Sequence, residues 1–208
     1  MPKKLLVAAV AEELAAFPAP LPGYNRLVTG PGKLNAAVLL SEALERAEYE
    51  EVLVVGTSGL VDADTEDDLE GRVFEVSAAV QHDVTDLDGV RGRHISLRER
   101  IELGHPGVVV ATGDSFVDDA EEAAFIRSLG ARLVDMETYA YAWVSQRRGV
   151  PIRVVRAVSD RAQDGATARW DEVVTTCSRW LWEYVAREGI VADAADAPSS
   201  GADDGHPR

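Results

Sequence analysis

Cysteine occurs once in this chain, at Cys177, so no intramolecular disulfide framework is open to it, and a reducing, cytoplasmic setting is expected. That cysteine falls in a helical segment with no matching His nearby in sequence, which reads as a buried structural thiol rather than a nucleophile. Basic residues are scarce: 21 Lys and Arg stand against 36 Asp and Glu, a formal charge of -15. Nucleic acid and anionic membrane surfaces both need clustered cations, so neither is expected as a partner. Long apolar runs are missing too. The run Leu5 to Val10 stops at Glu12, short of a signal peptide, and no stretch approaches transmembrane length. The four histidines, His82, His94, His105 and His206, share no ligand spacing with Cys or carboxylates, so no metal site is expected. No Gly-x-Ser-x-Gly elbow is present, which removes the support for an α/β-hydrolase triad.

What is present suffices for one sizeable core: 208 residues, 46% hydrophobic and 27% charged. Short apolar runs alternate with helical patterns. Strands are expected over Lys4 to Val10, Glu51 to Val55 (closed by Gly56-Thr57-Ser58-Gly59), Arg72 to Val80, Gly107 to Ala111, Arg132 to Val134 and Ile152 to Val155, while Leu27-Val28 leads into the Gly30 turn. Helices are expected over Ala36 to Ala47, Asp119 to Leu129, Glu137 to Arg148 with Gly149 as its C-cap, and Asp171 to Arg187. The last shows Val173, Val174, Cys177, Trp180, Leu181 and Tyr184 on one face. The alternation predicts an α/β fold, a mainly parallel central mixed sheet flanked by helices in a three-layer sandwich. Residues 1–189 form the expected domain. From Ile190 the composition collapses to Ala, Asp, Ser, Gly and Pro, so 190–208 is expected to be a disordered acidic tail. The acidic run Asp62 to Asp68 reads as a solvated loop, since it lacks the Gly and Glu spacing of an EF-hand.

Two acidic islands carry most of the functional signal: Val134-Asp135-Met136-Glu137 and Arg156-Ala157-Val158-Ser159-Asp160. Each follows a buried-strand run, and in open α/β sheets ligands sit at the carboxyl ends of strands. A carboxylate at such a mouth needs a partner or a task. Other segments are less specific. Glu12 and Glu13 end the first strand, where a helix N-terminus would also favour them. Gly30-Pro31-Gly32-Lys33-Leu34-Asn35 opens a helix and is equally a phosphate cradle or a tight packing turn. Gly56 to Gly59 offers small residues and hydroxyls at a strand end, and Phe116 is either a core aromatic or a platform for a planar base.

Taken in order, Glu12-Glu13, Gly30 to Ala37, Gly56 to Gly59, His82-Asp83, Gly113-Asp114-Ser115-Phe116, Asp135-Met136-Glu137 and Arg156 to Asp160 resemble the purine nucleoside phosphorylase/uridine phosphorylase superfamily. The closest branch is that of the 5'-methylthioadenosine/S-adenosylhomocysteine nucleosidases, and the resemblance runs from Lys4 to about Val185. It implies hydrolysis of the N-glycosidic bond of a purine nucleoside, without cofactor, by a homodimer. It further implies that Asp160 protonates the base at N7, that Glu137 grips the ribose hydroxyls over Met136, and that Glu13 activates water held by Ser58 and Arg156. Phe116 would stack on the base beside Val117, Asp135 and Ser159 would complete the substrate-binding set, and Trp170 would line the 5' pocket. Phosphorylases of the superfamily carry arginines after the first strand, whereas Ala11 to Ala16 is acidic here, which favours water over phosphate. A phosphorolytic enzyme and a non-catalytic nucleoside-binding protein are the alternatives. The pattern departs from the family in shortened segments at 17–27 and 86–102, in Asp135 for the more usual Glu, and in Leu60 for Gly. The 5'-substituent is therefore open: methylthioadenosine, adenosylhomocysteine, 5'-deoxyadenosine, a futalosine-type nucleoside and a plain purine nucleoside all fit.

Overall fold

Strand β1 (Lys3–Ala8) shows how the chain builds its core. Leu5 and Val7 point into one apolar cluster and Leu6 and Ala8 into another, so both faces of the strand are covered. Its neighbour β3 (Tyr49–Leu60) divides in the same way, Val52 and Val54 to one side and Leu53 and Val55 to the other. The computed structural model describes residues 3–61, 71–162 and 170–191, with side chains given from residue 173 in the last stretch. The acidic run at 62–68 and most of the tail lie outside these residues.

The remaining elements are β2 (Tyr24–Val28), α1 (Lys33–Arg46), β4 (Val73–Gln81), β5 (Arg100–Glu102), β6 (Val108–Thr112), α2 (Ala120–Ser128), β7 (Leu133–Asp135), α3 (Thr138–Arg148), β8 (Ile152–Asp160) and α4 (Trp170–Arg187). Pairings β1–β2, β1–β3, β3–β8, β4–β6 and β6–β7 are parallel, whereas β3–β7, β4–β5 and β4–β8 are antiparallel. The α/β class and the mixed, mainly parallel sheet are as expected. The sequence did not disclose that β3, β8, β4, β6 and β7 pair in a ring, with β1, β2 and β5 extending it. Closure leaves fewer unpaired strand edges.

Local signals place the helix ends. Asp119 caps α2 by accepting from Glu122 N at 2.8 Å, and Gly149 ends α3 in the left-handed region at φ 69°. Helix α4 buries Val174, Cys177, Ser178, Leu181 and Val185 against β3 and β8, with Trp180 and Tyr184 partly buried beside them. Ile190 and Val191 are buried in the same cluster, so the folded body extends two residues past the expected boundary at 189. Among the described residues no helix is long and apolar enough to cross a membrane.

Gly56-Thr57-Ser58-Gly59 does not close β3, as expected from sequence, but continues it. β8 runs alongside, pairing Gly56 with Arg156, Thr57 with Ala157 and Ser58 with Val158, and these backbone bonds keep the stretch extended. The register then slips, and Gly59 pairs with Asp160, leaving Ser159 as an extra residue. This bulge lies at the mouth of the site.

Candidate active site

Strand ends converge on one cavity of about 260 Å³. Glu13, Ser58, Phe116, Val117, Asp135, Met136, Glu137, Ser159 and Asp160 all border it, with Ala9, Val10, Pro31, Thr57, Gly59, Ser115 and Val134 between them. Residues from six separate segments therefore meet where the sequence places the two acidic islands. Ser159 and Asp160 are consecutive, yet both reach the cavity, because the bulge breaks the alternation of β8.

Glu13 sits on a single 3-10 turn, Ala11–Leu14, and is 2% exposed. One carboxylate oxygen accepts from Ala9 N at 3.0 Å and Val10 N at 3.2 Å. The other accepts from Thr57 N at 2.7 Å and Thr57 Oγ1 at 3.0 Å. Four donors hold the group in one orientation against the cavity wall. Ser178 of α4 fixes the turn from behind, donating to Glu13 O at 2.8 Å and accepting from Ala16 N at 3.0 Å. Thr57 and Ser178 were not singled out in the sequence. The only hint for Ser178 was a hydroxyl on the buried face of an amphipathic helix.

Asp160 accepts from Ala162 N at 2.8 Å through one oxygen and from Ser159 Oγ at 2.7 Å through the other. Ser159 thus orients the candidate acid, a more specific task than lining the pocket. Ser58 Oγ is buried with no hydrogen-bond partner among the described residues, at the wall of the cavity. Phe116, 41% exposed, is a wall of the cavity and not a core aromatic, while Val117 beside it is buried.

Glu137 caps α3 and is held by Gly32 N at 3.0 Å. Burial and the neighbouring charge of Asp135 push its pKa up to about 8, against the pull of Arg156, whose Nη2 lies 3.7 Å from its carboxylate.

Arg156 and Asp135 are paired with each other at the edge of this arrangement. Arg156 does not border the cavity; its guanidinium is sealed beneath the wall, 2.5 Å from Asp135 Oδ2 and 2.7 Å from Thr138 Oγ1. Asp135 borders the cavity, yet both of its oxygens serve the protein: Thr112 Oγ1 donates at 2.6 Å, and Thr138 donates through its backbone N and its hydroxyl. With the Arg156 pair these bonds saturate the carboxylate, which anchors Asp135 in the cavity wall. Strand alternation alone did not reveal which way either side chain turns. Trp170 begins α4, and its side chain lies outside the described residues. Burial pushes the Cys177 thiol up to about 12, so it stays protonated, in keeping with a structural role.

A concave, largely apolar cavity with three oriented carboxylates at the strand ends of an α/β sheet defines an enzyme site for a small organic molecule. Residues 26–183 match the family model described as Phosphorylase superfamily, and the chain belongs to that family. It is 32% identical over 184 residues to a 5'-methylthioadenosine/S-adenosylhomocysteine nucleosidase of Bacillus licheniformis, covering 77% of this chain and 78% of that one. A protein of the same description from Marinomonas sp. is 29% identical over 169 residues, covering 70% and 71% of the two chains. In fold the chain is similar to a futalosine hydrolase mutant of Helicobacter pylori, with a TM-score of 0.79 at 22% identity over 89% of this chain and 97% of that one. It is equally similar to the Helicobacter pylori 5'-methylthioadenosine/S-adenosylhomocysteine nucleosidase with butyl-thio-DADMe-Immucillin-A (TM-score 0.79, 23% identity, 90% and 97% covered).

Proposed function

We propose that the protein hydrolyses the N-glycosidic bond of a 5'-modified adenosine, 5'-methylthioadenosine or S-adenosylhomocysteine, releasing free base and sugar. The observation that carries this reading is the convergence of Glu13, Glu137 and Asp160 on one cavity whose lining, among the described residues, contains no Lys or Arg. Cleavage of this bond passes through a sugar with oxocarbenium character, which negative charge stabilises, and a departing base, which a proton neutralises. Asp160 gives its proton to N7 as the bond between C1' and N9 breaks. Glu13 takes a proton from the water that adds to C1', and Ser58 Oγ holds that water. Glu137 binds the ribose hydroxyls above Met136, Phe116 stacks on the purine beside Val117, and Trp170 is the residue that the family resemblance assigns to the 5' group. Arg156 and Asp135 act from below, keeping the floor rigid. The described lining offers phosphate no Lys or Arg as a counter-charge, and Glu13 faces it instead, which favours hydrolysis over phosphorolysis.

The relatives named as nucleosidases support the 5'-modified adenosines over other purine nucleosides. The working form is a cytoplasmic homodimer. Leu34 and Val38, 75% and 46% exposed, lie one turn apart on α1, the helix that starts at the cavity rim, and offer an apolar face to a second copy. Sedimentation velocity should give a dimer that Leu34→Glu dissociates.

The direct test is a panel of purine nucleosides incubated with and without phosphate, with both products identified. Adenine and free 5-methylthioribose formed at a rate indifferent to phosphate are expected. A sugar 1-phosphate would replace hydrolysis by phosphorolysis, and tight binding without turnover would leave a nucleoside-binding protein.

A further inference from the structure

Lys33, in the Gly30 to Asn35 turn, and the His82-Asp83 pair have no part in the chemistry above. The structure joins the two segments through the Lys33 side chain. Its ammonium lies 2.6 Å from Asp83 Oδ1, 3.2 Å from Gln81 Oε1 and 3.9 Å from Asp114 Oδ2, with the side chain 19% exposed. Its backbone N donates to Asp114 Oδ1 at 2.7 Å, and Asp114 N donates in turn to Asp83 Oδ2 at 2.8 Å. Lys33, Asp114 and Asp83 thus close a ring of hydrogen bonds across three segments: the start of α1, the loop after β6 and the end of β4.

Each side of the ring continues into the cavity. Gly32, next to Lys33, donates its N–H to Glu137 Oε1. Asp114 is followed directly by Ser115, Phe116 and Val117, which also line the cavity. One cation between two carboxylates therefore ties the wall that meets the sugar to the wall that meets the base. Burial disfavours ionisation of Asp83, but the Lys33 bond, the Asp114 N–H and the Lys33 charge outweigh it and lower its pKa, so the ring is charged at neutral pH.

We propose that Lys33 is a positioning residue that sets the spacing between the purine-facing loop Gly113–Val117 and the sugar-facing Glu137, touching neither the substrate nor the reacting atoms. Asp160 hangs from β8 and Glu13 from the first turn by separate bonds. Loss of the ring should therefore weaken substrate binding while leaving bond cleavage largely intact. The kinetic part rests on the nucleosidase reading; the mechanical part does not.

The test compares wild type with Lys33→Met, Lys33→Arg and Asp83→Asn in two measurements. With 5'-methylthioadenosine, Lys33→Met should raise KM about tenfold or more and lower kcat by less than about threefold, the signature of lost uniform binding. Lys33→Arg, which keeps the charge, should recover most of that loss. In native-state hydrogen exchange without ligand, the Gly32 and Asp114 amides should exchange about tenfold faster in Lys33→Met, and the Asp114 amide likewise in Asp83→Asn, with protection in β1 and β3 unchanged. Combining Lys33→Met with Asp83→Asn should add little, because both cut one ring. Unchanged exchange at Gly32 and Asp114, or unchanged KM in an active enzyme, overturns the proposal. If wild type cleaves no nucleoside, the nucleosidase reading falls by itself and exchange alone decides whether Lys33 holds the two walls. Should Lys33→Met fail to fold, Asp83→Asn carries both measurements.

Discussion

Arg156 Nη2 lies 2.5 Å from Asp135 Oδ2, and both side chains are 1% exposed. A buried pair of this kind is held because either partner alone would be an uncompensated charge in a dry interior. Asp135→Ala should therefore destabilise the fold by about 3–5 kcal/mol, far more than the loss of one ligand contact. Urea denaturation checks it. A stability loss near zero with impaired substrate binding would place Asp135 in substrate binding instead.

Gly56 is a second point of close approach. A side-chain carbon there would overlap Arg156 Nη1 and come within 2.9 Å of Glu13 Oε1. Neither neighbour is free to retreat, since Glu13 is held by four donors and Arg156 by Asp135 and Thr138. Gly56→Ala should lower kcat/KM by on the order of 10²-fold, the effect of an ångström-scale displacement of a catalytic group. Steady-state kinetics with a circular-dichroism check of folding measures it, and near-normal activity would show that Glu13 does not need its present position.

Glu137 links stability to pH. Its folded pKa of about 8 lies above the ordinary 4.5, mainly through burial. The native state then holds this proton more tightly than the unfolded chain does. Its contribution is fully present below 4.5, declines as pH rises, and is lost once pH passes about 8. Glu137→Gln removes the titration, so the variant should gain relative to wild type by on the order of 1 kcal/mol per pH unit across that window. Denaturation midpoints from pH 5 to 9 provide the comparison; parallel curves for the two proteins would reject the assignment.

The leaving group tests Asp160. Asp160→Asn keeps the shape but removes the transferable proton, and turnover should fall by on the order of 10²-fold or more, the usual yield of a general acid. Binding of a non-reacting nucleoside should weaken less, because an amide still hydrogen-bonds the base. A 7-deaza substrate, with carbon where the proton goes, should occupy the pocket and resist cleavage. Its rapid hydrolysis would show that the base departs without this acid.

Glu13→Gln separates water activation from base protonation. The amide retains part of the hydrogen bonding that Glu13 makes with Thr57 but cannot take a proton, so kcat should drop by on the order of 10²-fold with KM little changed. A loss confined to KM would place Glu13 in binding instead.

The sequence by itself determined what depends on neighbouring residues. Apolar runs with both faces covered marked β1 and the start of β3, Gly149 marked the end of α3, and carboxylates after such runs marked the mouths of β7 and β8. The short β5 and the continuation of β3 through Gly59 were not legible. A Gly-Thr-Ser-Gly stretch has turn composition, and only β8, about a hundred residues away, keeps it extended. Tertiary structure also decided the ring of strands, the inward turn of Arg156, the saturation of Asp135 and the Lys33 ring. The reason is physical. Period-two alternation leaves the direction of each side chain undefined until register is set, and the bulge at Ser58 and Gly59 resets it where Ser159 and Asp160 enter the site.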